Sequence, residues 1–237
     1  MEFVFTTMKV FGFDKMGIEL STRPAKSIGS DEDWKLATDA LENSLKALGL
    51  AYEINEGDGA FYGPKIDIKL KDALKRSWQC ATVQCDFSLP KRFELTYVDV
   101  DGSEKQPIML HRVLLGSLER FTACLTEHYM GDFPLWLAPE QVRVIPIKED
   151  IASYGLEIKN LLLAGGIRAE IDSRNETLNK RIRQAELEKV PYVLVVGQRE
   201  AEAKTVTVRK RHVKEQINLS ASEFIEKLKE EVTQKAA

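Results

Sequence analysis

Trp34, Leu41, Leu45 and Leu48 recur at helical spacing between Ser30 and Gly49, which predicts a helix over residues 30–48. Ser30 is placed to cap it, with Asp33 three residues on where a capping box usually has Glu or Gln, and Gly49 ends it. A glycine-punctuated loop, Gly57 to Pro64, comes next. Ile66, Ile68 and Leu70 then alternate with Asp67 and Lys69, the period of a strand. Thr82–Phe87 and Phe93–Val98 read as second and third strands, with a turn at Asp101-Gly102. Ile108-Met109-Leu110 leads into a long helix over about 112–130. Strands meeting at hairpin-type turns, with helices inserted, predict an antiparallel sheet in an α+β arrangement.

The pattern changes near residue 132. Gly131-Asp132-Phe133-Pro134 and Ala138-Pro139 mark a linker, and the domain boundary is expected between Pro134 and Gln141, dividing the chain into 1–134 and 135–237. Beyond it a strand at Val142–Pro146, a helix over about 150–164, a strand at Ile167–Ile171, a helix over about 176–189 and the apolar run Tyr192–Val196 alternate regularly. Val206 and Val208 belong to a further strand, and a last helix begins near Ser220. This order predicts an α/β domain with a mixed, mostly parallel sheet and flanking helices. Residues 233–237 are expected to fray.

Composition narrows the class. No apolar run approaches the roughly 20 residues a membrane-spanning helix needs. The opening MEFVFTTMKVFGF is apolar, but Glu2 stands where a signal peptide is basic and no small-residue cleavage site follows, so a buried or interrupted helix is expected. Cys80, Cys85 and Cys124 form no close pair, which fits a reducing, cytoplasmic setting and excludes a CxxC zinc site. The net charge of −3 gives no global footprint for nucleic acid, so RNA contact must rest on a local patch. One is present: Arg174, Lys180, Arg181, Arg183, Lys189, Arg199, Lys204, Arg209, Lys210 and Arg211 cluster in the second half. Lys180 and Arg183 share a helix face opposite Leu178, Ile182 and Ala185, and a solvated helix face is the competing reading. Gly57–Gly63 lacks the strand-before, helix-after context of a P-loop.

Three stretches carry a resemblance. They are Ala60–Asp67, then Trp78–Gln84 with Asp86-Phe87, then Pro107–Arg112 running into Leu115–Phe121; Leu20–Pro24 fits with them. Together they resemble threonyl-tRNA synthetases, and the last looks like the third signature motif of class II aminoacyl-tRNA synthetases. The resemblance covers essentially the whole chain. It implies the later part of an antiparallel class II catalytic domain, followed by an anticodon-binding domain. The implied reaction is ATP-dependent activation of threonine to threonyl-adenylate, with Mg2+ accompanying ATP, and transfer to tRNA(Thr). The complete enzyme is expected to be a homodimer, with no membrane association.

By resemblance, Lys65 reaches the adenylate phosphate or the tRNA end, and Arg120 lies against ATP. Tyr62, Gln79, Gln84, Gly116 and Ser117 belong to the amino-acid and ATP pocket, and His111 is one of three zinc ligands. Gly116 and Arg120 are expected one helical turn apart, on one face. Asn175, Arg183, Glu200 and Arg209 fall where the family reads anticodon bases, and Lys189 at a basic position suited to phosphate. Read without the family, His111 is a core histidine, Arg120 a surface arginine, and Gln79 and Gln84 polar strand positions. The other two zinc ligands and the second class II motif have no counterpart here, so the chain alone is expected to bind zinc poorly and not to aminoacylate. A non-catalytic tRNA-binding or regulatory fragment is the alternative reading.

Overall fold

The capping box expected at Ser30 forms: Asp33 N–H donates to Ser30 Oγ and Ser30 N–H to the Asp33 carboxylate, both at 3.1 Å. The computed structural model describes residues 1–235, in two units, Met1–His128 and the residues from Tyr129 on. In the first unit, α1 (Glu2–Val10) buries Val4 and Met8 and leads to β1 (Gly17–Ser21). The capped helix is α2 (Asp31–Ala47), which buries Trp34, Ala37, Leu41 and Leu45. Next come β2 (Glu53–Asn55), β3 (Lys65–Lys71), β4 (Ser77–Asp86), α3 (Ser88–Arg92), β5 (Tyr97–Val98), β6 (Glu104–Lys105), β7 (Met109–Val113) and α4 (Leu118–His128). The main sheet has the order β2-β1-β3-β4-β7, antiparallel except for β1–β2.

Two expectations here are corrected. Phe93–Val98 is not one strand. Asp86 Oδ1 accepts the Ser88 and Leu89 amides and starts α3, Glu94 takes a left-handed φ of +50°, and only Tyr97–Val98 pairs, with β6. A long helix from 112 does not form either. Met109–Val113 extends the sheet as β7, Gly116 turns the chain at φ +68°, and α4 starts at Leu118.

The second unit contains β8 (Val142–Pro146), a short 3-10 turn Glu149–Ile151, α5 (Ala152–Ala164), β9 (Ala169–Ile171), α6 (Leu178–Leu187), β10 (Tyr192–Val196), α7 (Gln198–Ala203), β11 (Thr205–Lys210), β12 (Gln216–Ser220) and α8 (Ala221–Gln234). Its sheet, β12-β11-β10-β8-β9, is mixed, but without a parallel majority: β10–β8 and β8–β9 are parallel, β10–β11 and β11–β12 antiparallel. The links into β11 and β12 are too short for a parallel crossover, which needs about a dozen residues. The sequence reading also missed α7 and β12, and β9 is shorter than expected. Thr233 and Gln234 are helical, while the expectation of fraying at Ala236 and Ala237 lies outside the described residues. One sheet face packs Val142, Val144, Leu194, Val206 and Val208 against Tyr154, Ile158, Leu162, Phe224 and Leu228. The other packs Ile145, Val193 and Val195 against Ala185 and Val190, with Leu178 and Ile182 at its margin. Among the described residues no helix is long and apolar enough to cross a membrane.

Candidate functional site

Strand register builds the first candidate site. Ser21 pairs with Lys65, Lys65 with Gln84 and Gln84 with His111, a row across four strands. The next row on that face is Glu19, Asp67, Thr82 and Val113. Directly opposed residues lie on one face of a sheet, and the rows between them, which include buried Leu20, Ile66 and Ile68, occupy the other. The sheet is therefore apolar on one side and mostly polar on the side of Lys65, Gln84 and His111.

Gln79 reaches the polar side through an irregularity. In a regular strand Gln79 and Gln84 would face opposite ways. The β3–β4 register shifts at Ile68/Lys69, leaving Cys80 without an opposite partner, so Gln79 pairs with Lys69. One extra residue reverses the alternation. Gln79 Nε2 then donates to Asp67 Oδ1 at 2.6 Å and Thr82 Oγ1 at 2.9 Å, while Thr82 Oγ1 donates to Asp67 Oδ1 at 2.9 Å. A carboxylate only accepts, so Gln79 turns its NH2 to Asp67 and keeps its carbonyl oxygen for other partners. Asp67 Oδ2 also holds the Lys65 ammonium at 2.7 Å, and Asp58 Oδ2 holds it at 3.0 Å. Burial lowers the Lys65 pKa, but the Asp67 and Asp58 carboxylates outweigh it and the net shift is upward. Asp67 is 1% exposed and had not been singled out in the sequence; its spacing beside Lys65 was the available signal.

Tyr62 donates from its hydroxyl to Gln84 Oε1 at 2.8 Å and lies edge-on to the His111 ring at 6.1 Å. The preceding loop needs glycine at 63, because a Cβ there would lie 1.8 Å from the Cys85 carbonyl oxygen. His111 Nε2 is 2.9 Å from Asp86 Oδ2. Burial raises the Asp86 pKa, yet the His111 hydrogen bond and the Leu89 and Ser88 amides bring it below the ordinary value. Metal-binding histidines commonly donate their second nitrogen to a carboxylate in this way. Zinc sites nevertheless need about three protein ligands, and among the described residues no group of three His, Cys, Asp or Glu is arranged to hold a metal. The residues present do not by themselves fit a zinc ion. All three cysteines are buried and free, and burial together with Cys124 pushes the Cys80 thiol up to about 11.

Gly116 and Arg120 do not share a helix face as expected, because Gly116 lies in the strand-to-helix turn. A Cβ at Gly116 would meet the Cys80 carbonyl oxygen at 2.8 Å, so its role in the fold is to let β4 and the turn touch. Ser117 Oγ accepts the Arg120 amide and caps α4. Arg120 Nη1 donates to the Gln79 carbonyl at 2.9 Å, which ties α4 to the irregular part of β4.

In the second unit, Asn175 lines an open cleft of about 680 Å³ with Lys148, Arg174 and Arg181. Arg181, 5% exposed, donates to the carbonyls of Asp172 at 2.9 Å and Ile147 at 3.3 Å, bracing two loops at that cleft. Its burial was not foreseen: it reads as one more basic residue in a charged run. Arg183 is exposed on α6, and Arg209 on β11 is 3.9 Å from Glu186 of the same helix. Glu200 is committed on both oxygens, accepting Thr207 Oγ1 and the Gly197 amide at 2.9 Å each. Lys189 donates to the Met130 carbonyl.

The family described as "tRNA synthetase class II core domain (G, H, P, S and T)" matches residues 6–129, and the "Anticodon binding domain" family matches 141–231. The chain belongs to the class II aminoacyl-tRNA synthetases. It is 55% identical over 99% of its length to the threonine–tRNA ligase of Syntrophotalea carbinolica, covering 36% of that protein. It is 57% identical over 89% of its length to that of Oleidesulfovibrio alaskensis, covering 33%. A solved structure of the RNA binding domain of threonyl-tRNA synthetase from Cryptosporidium parvum Iowa II superposes with a TM-score of 0.90 at 41% identity, over 97% of this chain and 58% of that one. Within that class it is similar to threonine–tRNA ligases, and it spans about a third of the length of these curated relatives.

Proposed function

We propose that the chain is the C-terminal portion of a cytoplasmic threonine–tRNA ligase, with 1–134 from the catalytic domain and 135–237 as the anticodon reader. The observation that carries the first part is the single polar face bearing Lys65, Gln79, Gln84 and His111, with Tyr62 bonded to Gln84. In adenylate formation a threonine carboxylate oxygen attacks the α-phosphorus of ATP and pyrophosphate leaves. Lys65, charged and fixed by two carboxylates, offsets negative charge at that phosphate. Arg120 lies against the nucleotide, where a guanidinium stacks and pairs with phosphate. Gln84, with its oxygen taken by Tyr62, offers its NH2, and Gln79 offers its oxygen. Gly116 and Ser117 shape the pocket wall. Mg2+ accompanies ATP, and His111 contributes one zinc ligand to a set completed elsewhere in the longer enzyme, which is a homodimer.

For the second unit, Asn175, Arg183, Glu200 and Arg209 read the splayed anticodon bases of tRNA(Thr) on their edges. Lys189 supplies charge toward phosphate. A titration of the chain with a threonine anticodon stem-loop, beside one with a changed anticodon at fixed salt, tests this. Preference for the threonine anticodon is expected. Equal binding to both would remove the anticodon assignment.

A further inference from the structure

The α6-side face of the second sheet changes character from one edge to the other. At its centre Val193 and Val195 pack with Ile145, Ala185 and Val190. The register carries that face outward. Val193 opposes Arg209 and Val195 opposes Thr207, and these oppose Gln216 and Asn218 on β12. Within two strands an apolar, covered surface becomes a strip of Thr207, Arg209, Gln216 and Asn218. Gln216 and Asn218 are exposed, and among the described residues neither amide has a protein partner. Thr207, within the strip, donates from its hydroxyl to the Glu200 carboxylate at 2.9 Å.

We propose that Gln216 and Asn218 extend the RNA-reading surface, hydrogen-bonding the base edges of a single-stranded nucleotide next to the one held by Arg209 and Glu200. This inference rests on the anticodon reading above. Each side-chain amide offers both donors and an acceptor, the combination that reads base edges. A strand spacing of roughly 4.8 Å separates the amides from Arg209 and Thr207, so an adjoining nucleotide falls within their reach. The open face of a sheet is a recurrent platform for single-stranded RNA. The strip has no aromatic side chain, so the contact is read by hydrogen bonds and depends on base identity. A peptide adding to the open edge of β12 is the rival occupant, but it would use main-chain groups and leave these two amides idle.

The test is a fixed-salt titration of the full 237-residue chain with the threonine anticodon stem-loop and with stem-loops altered at each nucleotide flanking the anticodon. Wild type, R209A and the double variant Q216A/N218A are compared. Both substituted amides are exposed, so the double variant is expected to keep its melting temperature. It is expected to bind about tenfold to a hundredfold more weakly and to lose discrimination at one flanking nucleotide, while its preference for the anticodon stays. If R209A weakens binding and Q216A/N218A binds and discriminates like wild type, the extension is overturned and the anticodon reading stands. If R209A also binds like wild type, both fall.

Discussion

His111 Nε2 lies 2.9 Å from a carboxylate oxygen of Asp86, a side chain itself fixed by the amides of Ser88 and Leu89. An ionised carboxylate only accepts, so it draws the imidazole proton to Nε2 and leaves the Nδ1 lone pair available. Nitrogen-15 NMR of the histidine-labelled chain at neutral pH is expected to find His111 protonated on Nε2, and D86A to lose that bias. A wild-type ring protonated on Nδ1 alone would contradict the assignment.

Asp67→Ala removes one carboxylate from Lys65, Gln79 and Thr82 together. Breaking a buried charged pair by deleting one partner costs about 3–5 kcal/mol, and a loss of that size is expected in urea unfolding of the first unit. Asp67→Asn keeps the shape and is expected to cost less. A loss below about 1 kcal/mol for D67A would mean that the network relaxes onto other partners.

Gly116→Ala combines a left-handed φ of +68° with a Cβ 2.8 Å from the Cys80 carbonyl oxygen. Gly102→Ala is its control, with φ +79° and nothing within 4 Å. The control is expected to lose about 1–2 kcal/mol from backbone strain alone, and Gly116→Ala about 1–3 kcal/mol more from overpacking. Equal losses in thermal unfolding would show that the contact yields freely.

Asp172 is depressed by its hydrogen bond to Arg174, against the opposing effect of burial, with further help from the Arg174 amide and from Arg181. A carboxyl lowered in the folded state stabilises fully above its unfolded pKa, near 3.9, and loses that contribution as pH falls through the lower folded value. The melting-temperature gap between wild type and D172N is therefore expected to be widest near neutral pH and to close as pH drops below about 4. A gap independent of pH would contradict this.

Threonine-dependent ATP–pyrophosphate exchange by the chain alone is expected to be absent, and equilibrium dialysis is expected to find no stoichiometric zinc. Exchange above background would show that these residues suffice for activation.

Periodicity was enough for α2, β3, β8, α5, α6 and β10, where a buried face imposes a regular repeat. It was misleading where an apolar run had two uses. Met109–Val113 could continue a helix or close a sheet, and the deciding features, the Gly116 turn and the pairing with β4, depend on residues distant in sequence. The site residues were legible only through the family motifs. Their supports, Asp67 and Asp86, look like ordinary acidic positions until the register places them, and Arg181 reads as surface charge because nothing local reveals that two loops close over it.

The unpaired Cys80 also bears on how this chain can change. Gln79 faces the site because β4 carries one residue more than β3 at that point. Side chains there can be exchanged one for another, but the count of residues cannot. Losing a single position near Cys80 would turn Gln79 to the opposite face with every remaining side chain still hydrophobic or polar as before. In this segment, length is under tighter constraint than composition, and damage from a deletion would leave no trace in a hydropathy plot.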